Sequence, residues 1–490
     1  MRLKAKKTNA EPDAEVIHLD ESQAANSTSR MQVLPSPSEP MAVAREFVEG
    51  RCLSGSHLTL YYWRSGWWGW HTAHWAEVDE RTVKSALYQY TEHAVYVTKD
   101  GNPQPWSPNR RKITDLMDAL AAVCLLPADI DQPSWLDGGA TDGVIVAMAN
   151  GLLDVARQRL LPHTPVFFNQ TSVPFNYDPK ASRPERWLKF VNELWPNEPE
   201  PINALGEWFG YVISGRTDLH KILLMVGPTR GGKGVISRVL SALIGNRNVA
   251  GPTLNSLGNE FGLAPLIGKP LAVISDARFA GRDASVVVER LLSISGEDSL
   301  TVNRKYRDQW TGKLPSRLHV LSNELPKLGD ASTAIVGRMV LLLLSKTWLG
   351  HEDYDLEPTL HAELSGILNW SLAGLHRLTV INKNRFTRLP SADEAITTMR
   401  DLASPVAAFV REQCTLAADI EIRTDDLYAA FKQWTEDNGH AKKSKQMFGR
   451  DLRAAVPSVS IKRPRNPTLR ELQQPDDRHR VYVGIDIRQG

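Results

Sequence analysis

Lys221-Ile-Leu-Leu-Met-Val226, followed without a break by Gly227-Pro-Thr-Arg-Gly-Gly232-Lys233-Gly234, decides the fold. The first six residues form a short apolar run of strand length. The next eight contain G-x-x-x-x-G-K, and beyond them Val235, Ile236, Val239, Leu240, Leu243 and Ile244 fall on one face at helical spacing. Strand, glycine loop and helix in this order make a phosphate cradle. Small residues let successive backbone N–H groups surround a β-phosphate, while the helix N-terminus and the Lys233 ammonium balance its charge. Gly227, Pro228, Thr229, Arg230, Gly231, Gly232, Lys233 and Gly234 are therefore the expected nucleotide-binding residues, and ATP with Mg²⁺ the expected cofactors. One position departs from the pattern: the Ser or Thr after the lysine, whose hydroxyl ligates Mg²⁺, is Gly234. Either water fills that coordination position or another side chain, such as Thr229 or Ser237, approaches.

Working outward, a second apolar run, Leu271 to Ile274, ends in Ser275-Asp276. A carboxylate at the tip of a parallel strand sits where the metal and attacking water of a P-loop ATPase lie, so Asp276 is the expected magnesium ligand. A third run, Leu318 to Leu321, ends at Ser322-Asn323. The Asn323 amide can hold a γ-phosphate or orient water without adding charge. The fourth run, Met339 to Leu344, is preceded by Arg338, whose guanidinium fork can reach ATP held by a neighbouring subunit or can be a plain surface charge. Between the second and third runs, Leu300-Thr-Val-Asn-Arg304-Lys305-Tyr306-Arg307 and Trp310-Thr-Gly-Lys313 alternate like a hairpin with mostly positive charge. Arg304, Lys305 and Arg307 suit a phosphate backbone, where counterion release gives sequence-independent affinity; a solvated turn is the bland alternative.

The bulk properties bound this reading. A chain of 490 residues exceeds one ordinary core, and about three domains are expected. Net charge is +2, so a nucleic-acid partner must be met by local patches. No apolar run is long enough to span a bilayer and none follows the basic first residues, so a membrane role is excluded and a cytoplasmic location expected. Three cysteines without Cys-x-x-Cys spacing exclude a disulfide framework and a cysteine zinc site; buried free thiols are expected.

Residues 1–45, with Leu34-Pro-Ser-Pro-Ser-Glu-Pro40, read as a disordered tail. Residues 46–182 read as an α+β domain: a tryptophan-rich β-meander over 58–78, which favours a core over base stacking, then helices near Glu80–Glu92 and Lys112–Leu125, and a turn at Asn150-Gly151. Helices over 183–215 lead into the cradle strand, and the domain runs to about 380 before a linker at 382–391. In residues 381–490, a capped helix begins at Thr424 and a second is capped by Ser444. Strands follow at Val459–Lys462 and Val481–Ile487, giving the pattern of a winged helix. Lys445, Arg450, Arg453, Lys462 and Arg463 are its candidate DNA contacts, and a small packing or oligomerisation module is the alternative.

In the order cradle, acidic strand end, basic hairpin, Asn-ended strand and arginine, residues 221–345 resemble the superfamily 3 helicases, closest to the primase-helicase branch of poxviruses and phages. Ser295-Gly-Glu-Asp298, Lys313-Leu-Pro, Ser322-Asn-Glu-Leu-Pro and Leu368-Asn-Trp370 add to the likeness, as do Asn150-Gly-Leu-Leu-Asp154 and Leu161-Pro-His-Thr-Pro165 upstream. The resemblance implies an α/β fold with a P-loop AAA+ type ATPase core, an α+β N-terminal domain and a C-terminal winged-helix domain. It implies a homo-hexameric ring moving 3′ to 5′ on single-stranded and forked DNA, with Lys233 and Asp276 serving ATP and Mg²⁺. Lys305 then lies in the DNA hairpin, Asn323 is sensor 1 and Arg338 the trans-acting finger. The family has two acids at the second strand end, where this chain has Asp276-Ala277-Arg278. No paired-carboxylate primase signature precedes the cradle, so a separate primase or origin-binding partner is expected. The alternative is an ATP-switched DNA-binding initiator with little unwinding, motivated by Gly234 and the single Asp276.

Overall fold

The structure is a computed structural model that describes residues 32–139, 143–275, 277, 284–305, 307–326, 333–440, 442–462 and 480–488. Helix α1 (Pro40–Arg51) opens it, with Pro40 at a first-turn position where its missing N–H costs nothing. This corrects the tail expected through residue 45. Leu34 is buried, its N–H bonded to the Val95 carbonyl, and Val43, Ala44, Phe47 and Val48 bury one face of α1. The Pro-Ser run disguised a helix start.

Strands β1 (Leu60–Trp63), β2 (Gly66–His71) and β3 (His74–Val78) form the expected antiparallel meander. Side chains alternate faces along a strand, so adjacent Trp67 and Trp68 enter different clusters. Trp67 packs with α1, α2 (Glu80–Glu92) and α3 (Arg110–Val123), and Trp68 with Trp63, Trp75 and Phe168. With both faces covered, the tryptophans are core, as favoured from sequence.

A second antiparallel sheet, β4 (Ile145–Met148), β5 (Gly151–Asp154) and β6 (Arg159–Leu161), follows. Val146, Met148, Leu153 and Val155 join the largest core of the molecule, which runs on to Met399. Packing therefore crosses the expected boundary at residue 182. Helices α4 (Glu185–Leu194) and α5 (Pro199–Ile213) then lead into β7 (Ile222–Val226) and α6 (Lys233–Ile244).

The central sheet adds β8 (Val249–Ala250) and β9 (Leu271–Ile274). Past α7 (Ala284–Ser295) and the hairpin β10 (Leu300–Arg304) and β11 (Arg307–Gly312) come its last strands, β12 (Arg317–Ser322) and β13 (Met339–Leu343). All five strands run parallel, in the order β8-β9-β12-β7-β13. Parallel strands covered on both faces read as unbroken apolar runs, and every residue of β7 and β12 is buried. The carboxyl ends of β7, β9 and β12 converge, as ligand crevices in such sheets require.

Helices α8 (Leu356–Ala362) and α9 (Leu364–His376) return across this unit. α9 crosses α5 so closely that a Cβ on Gly374 would lie 2.2 Å from the Gly206 carbonyl carbon. The expected linker is fastened instead of free. Buried Glu207 accepts hydrogen bonds from Thr387 N (2.8 Å), Thr387 Oγ1 (2.6 Å) and Asn382 Nδ2 (3.0 Å). Leu389, Ala392 and, on α10 (Asp393–Ala403), Met399 lie in the large core.

The last cluster starts at Val406 and contains α11 (Pro405–Gln413), β14 (Glu421–Arg423), α12 (Thr424–Asp437), α13 (Lys445–Ala455), β15 (Ser460–Lys462), β16 (Val481–Val483) and β17 (Asp486–Ile487). β16 lies between β14 and β15. Ser444 caps α13 as expected; α12 begins at Thr424 behind Arg423 with no side-chain cap bond, a correction. The expected strand 481–487 breaks at Gly484, whose φ is 98°.

Candidate functional site

The cradle follows from its local sequence. Gly232 takes φ 89°, in the region that favours glycine, and the turn there starts α6 at Lys233. Lys233 is 8% exposed, and its Nζ donates to Gly227 O (2.5 Å), Pro228 O (2.8 Å) and Asn323 Oδ1 (3.1 Å). The ammonium thus links the loop after β7 to the end of β12. The loop is clamped from outside as well: Gly227 N donates to Ser322 O, Thr347 Oγ1 to Thr229 O and Trp348 N to Arg230 O. The residues after β13 fix the loop path.

The cradle opens on a cleft of about 580 Å³ whose walls include Thr229 to Val235, Arg238 and Asn323. Sequence reasoning missed Arg186, Phe190, Trp348, Glu352, Tyr354 and Glu357, which line it from α4 and the segment 348–357. No local motif announces them, since they arrive through the chain's return across the sheet. The cleft's arginines already face acids: Arg230 Nε lies 3.5 Å from Glu352, Arg186 Nη2 3.1 Å from Asp353 and Arg238 Nε 2.8 Å from Glu357. Arg186 Nη1 is buried with no hydrogen-bond partner among the described residues.

Of the expected site residues, Lys233, Asn323 and the loop 227–234 come together. Asp276 and Arg463 lie outside the described residues; the next residue, Ala277, is tied to the end of β12 through its N–H to Leu321 O and its carbonyl to Ser322 Oγ. Of the two side chains expected to stand in at the Mg²⁺ position, Thr229 lines the cleft and Ser237 does not. Gly234 has no side chain, Asn323 Oδ1 and Glu357 are engaged, and Ser237 is buried and outside the cleft lining. Among the described residues, no group of three or more His, Cys, Asp or Glu is arranged so that it could hold a metal ion.

Arg338 is not at its own chain's cradle. It precedes β13, at the opposite end of strands five residues and about 17 Å long. Its Nη1 donates to Leu292 O (2.5 Å) and Ser295 Oγ (2.9 Å). Beside it Lys221 donates to Gly337 O, and burial, aided by Arg338, holds its ammonium below the usual lysine range.

The basic hairpin forms with the expected antiparallel pairing. Its cations differ. Lys305 is exposed, 5.7 Å above the Phe261 ring, whereas Arg304 pairs with Glu77 of β3 at 3.3 Å and is only 16% exposed. Only the backbone of Arg307 is described. Lys313 meets Asp131 (2.8 Å), which also takes Arg64 (2.8 Å). Burial pushes the Asp131 carboxyl up, but the Lys313 and Arg64 charges beside it together outweigh that and hold it below its ordinary value. Between the hairpin and the meander lies a cleft of about 1060 Å³ lined by Arg64, Arg81, Lys84 and Lys305 among others. In the last cluster, Lys445 pairs with Asp425, Arg450 with Asp451 (2.9 Å), and Arg453 Nε donates to Gly449 O; Lys462 is exposed.

Three family models match successive stretches. They are "D5 N terminal like" over 57–196, a "Family of unknown function (DUF5906)" over 225–338, which begins in β7, and "Poxvirus D5 protein-like" over 403–478. Among solved structures, the chain is similar to the A form apo structure of the NrS-1 C terminal region at 10% identity and TM-score 0.42, covering 86% of this chain and 96% of that one. A further apo structure of the same region aligns at 11% identity and TM-score 0.44, covering 86% and 95%. No helix among the described residues is long and apolar enough to cross a membrane. The two D5-like matches lie one on each side of the cradle, and each spans well under half of the chain.

Proposed function

We propose that the chain is an ATP-driven DNA helicase of the superfamily 3 kind, working as a ring, most simply a hexamer, on single-stranded and forked DNA. The observation that carries this is the bond from Lys233 Nζ to Asn323 Oδ1, which joins a glycine loop and an amide at the ends of two adjacent parallel strands. That pairing suits a P-loop ATPase in which Lys233 holds the β- and γ-phosphates and Asn323 orients the attacking water. The strand order, with β7 next to the last strand, fits an AAA+ core.

Arg338 sits away from its own cradle and beside Lys221, as a group serving a neighbour's ATP must; a head-to-tail ring supplies that neighbour. Lys305 at the hairpin turn meets the DNA backbone. The order helix, two short strands, helix, helix, strand, strand from α11 to β16 supports a winged helix, in which α13 with Lys445, Arg450 and Arg453 faces duplex DNA. Mg²⁺ would travel with the phosphates of the nucleotide, which supply most of its ligands, and Asp276 remains its proposed protein ligand. An ATP-switched initiator is the second reading, favoured by Gly234 in the cradle. Unwinding of 3′-tailed and 5′-tailed duplexes tests the proposal. ATP-dependent opening of the 3′-tailed substrate alone, lost in Lys233→Ala, is expected; ATP-dependent binding without strand separation would favour the initiator.

A further inference from the structure

Position 234 lacks the hydroxyl that a phosphate cradle ordinarily uses, yet the space beside it is occupied. A Cβ built on Gly234 would stand 3.0 Å from Arg238 Nη1, its one near neighbour besides Arg238 Cζ. Helical side chains lean toward the N-terminus, so a residue at i+4 lies over residue i, and Arg238 covers Gly234 for that reason. Its Nε lies 2.8 Å from both carboxylate oxygens of Glu357 on α8, and both residues line the cleft. The guanidinium therefore reaches the mouth of the cradle and pairs there with an acid that lines the same cleft.

We propose that Arg238, standing where a residue-234 hydroxyl would help to hold Mg²⁺, supplies positive charge directly to the nucleotide's phosphate chain, exchanging its pairing with Glu357 for the phosphates when nucleotide enters. This rests on the reading of the cleft as an ATP site. Phosphate, with its higher charge and bidentate geometry, competes well against a half-exposed carboxylate for a guanidinium fork. Compensation of the triphosphate then depends less on the divalent cation than in a loop with Ser or Thr at this position.

The test is calorimetric titration of the full chain with ATP, in MgCl₂ and in EDTA. Wild type should bind ATP in EDTA within about tenfold of its affinity in MgCl₂, and Arg238→Gln should widen that ratio by about 10- to 100-fold, the worth of a charge-assisted contact. Glu357→Gln should tighten binding in EDTA by about threefold or more, because the competing carboxylate charge is gone; a merely structural pair would weaken instead. Gly234→Ser should shift the ratio toward that of Arg238→Gln. An unchanged ratio in Arg238→Gln, or weaker EDTA binding in Glu357→Gln, overturns the proposal. Absence of ATP binding by wild type in both buffers overturns the nucleotide-site reading itself, which separates the two failures.

Discussion

Gly232→Ala should disable the cradle, while Gly234→Ala, two residues on, should leave it working. At Gly232 φ is 89°, and an added Cβ would lie 3.1 Å from both Leu194 Cδ2 and Phe190 Cζ. A non-glycine residue in the left-handed region costs about 1–2 kcal/mol. Leu194 and Phe190 are both buried with little room to retreat, so crowding them costs about 1–3 kcal/mol more. Together this is about 2–5 kcal/mol against the loop geometry, which at 1.4 kcal/mol per decade is roughly a 30- to 3000-fold loss of ATP affinity. At Gly234 the backbone is helical and the added methyl meets only the end of the flexible Arg238 side chain. A gain of up to about 1 kcal/mol in helix propensity offsets that shift. Calorimetric titration with ATP in MgCl₂, with circular dichroism to verify folding, reads both variants. Gly232→Ala binding within about threefold of wild type, or equal losses in the two variants, would refute the reasoning.

Three further outcomes are expected. Glu77→Gln removes the acid that holds Arg304 against the meander; single-strand affinity measured by fluorescence anisotropy at low salt should rise by about two- to fivefold with a steeper salt dependence, and stability should change by under about 1 kcal/mol. His319 is fully buried in β12, and burial lowers its pKa to about 3. Between that value and the ordinary 6.5 the unfolded chain binds the extra proton, so stability falls as pH drops below 6.5, by up to about 1.4 kcal/mol per pH unit. His319→Leu should flatten the decline of thermal midpoint between pH 7 and 5, and an unaltered slope would assign the decline to other groups. Cys52, Cys124 and Cys414 are all buried, with burial pushing the Cys124 and Cys414 thiols up to about 12. A thiol-reactive chromogenic disulfide should label none of them in the native protein and all three after denaturation.

Where one physical constraint ruled locally, the sequence was readable. β7, the glycine loop and α6 were legible because an apolar run, three small residues and a helical stripe each admit one reading; the hairpin at 300–312 followed from alternation, and α13 from Ser444. Tertiary contact decided what was missed. α1 was hidden because Pro and Ser signal loops, whereas here Pro40 begins a helix whose face is buried by α3. The segment 382–391 reads as a linker until Glu207, distant in sequence, is found holding Asn382 and Thr387. Half of the cleft wall, from Arg186 to Glu357, depends on where α4 and α8 pack, which no spacing encodes. The pairing of Arg304 with Glu77 likewise needs two elements more than two hundred residues apart.

The most direct test of the central claim is the steady-state ATPase rate of wild type and Lys233→Ala, with and without single-stranded DNA. Stimulation of hydrolysis by DNA in wild type, with loss of about 100-fold or more of the rate in Lys233→Ala, is expected of a motor whose transition-state charge is held by that ammonium. ATP turnover indifferent to DNA, or hydrolysis that survives without Lys233, would contradict it.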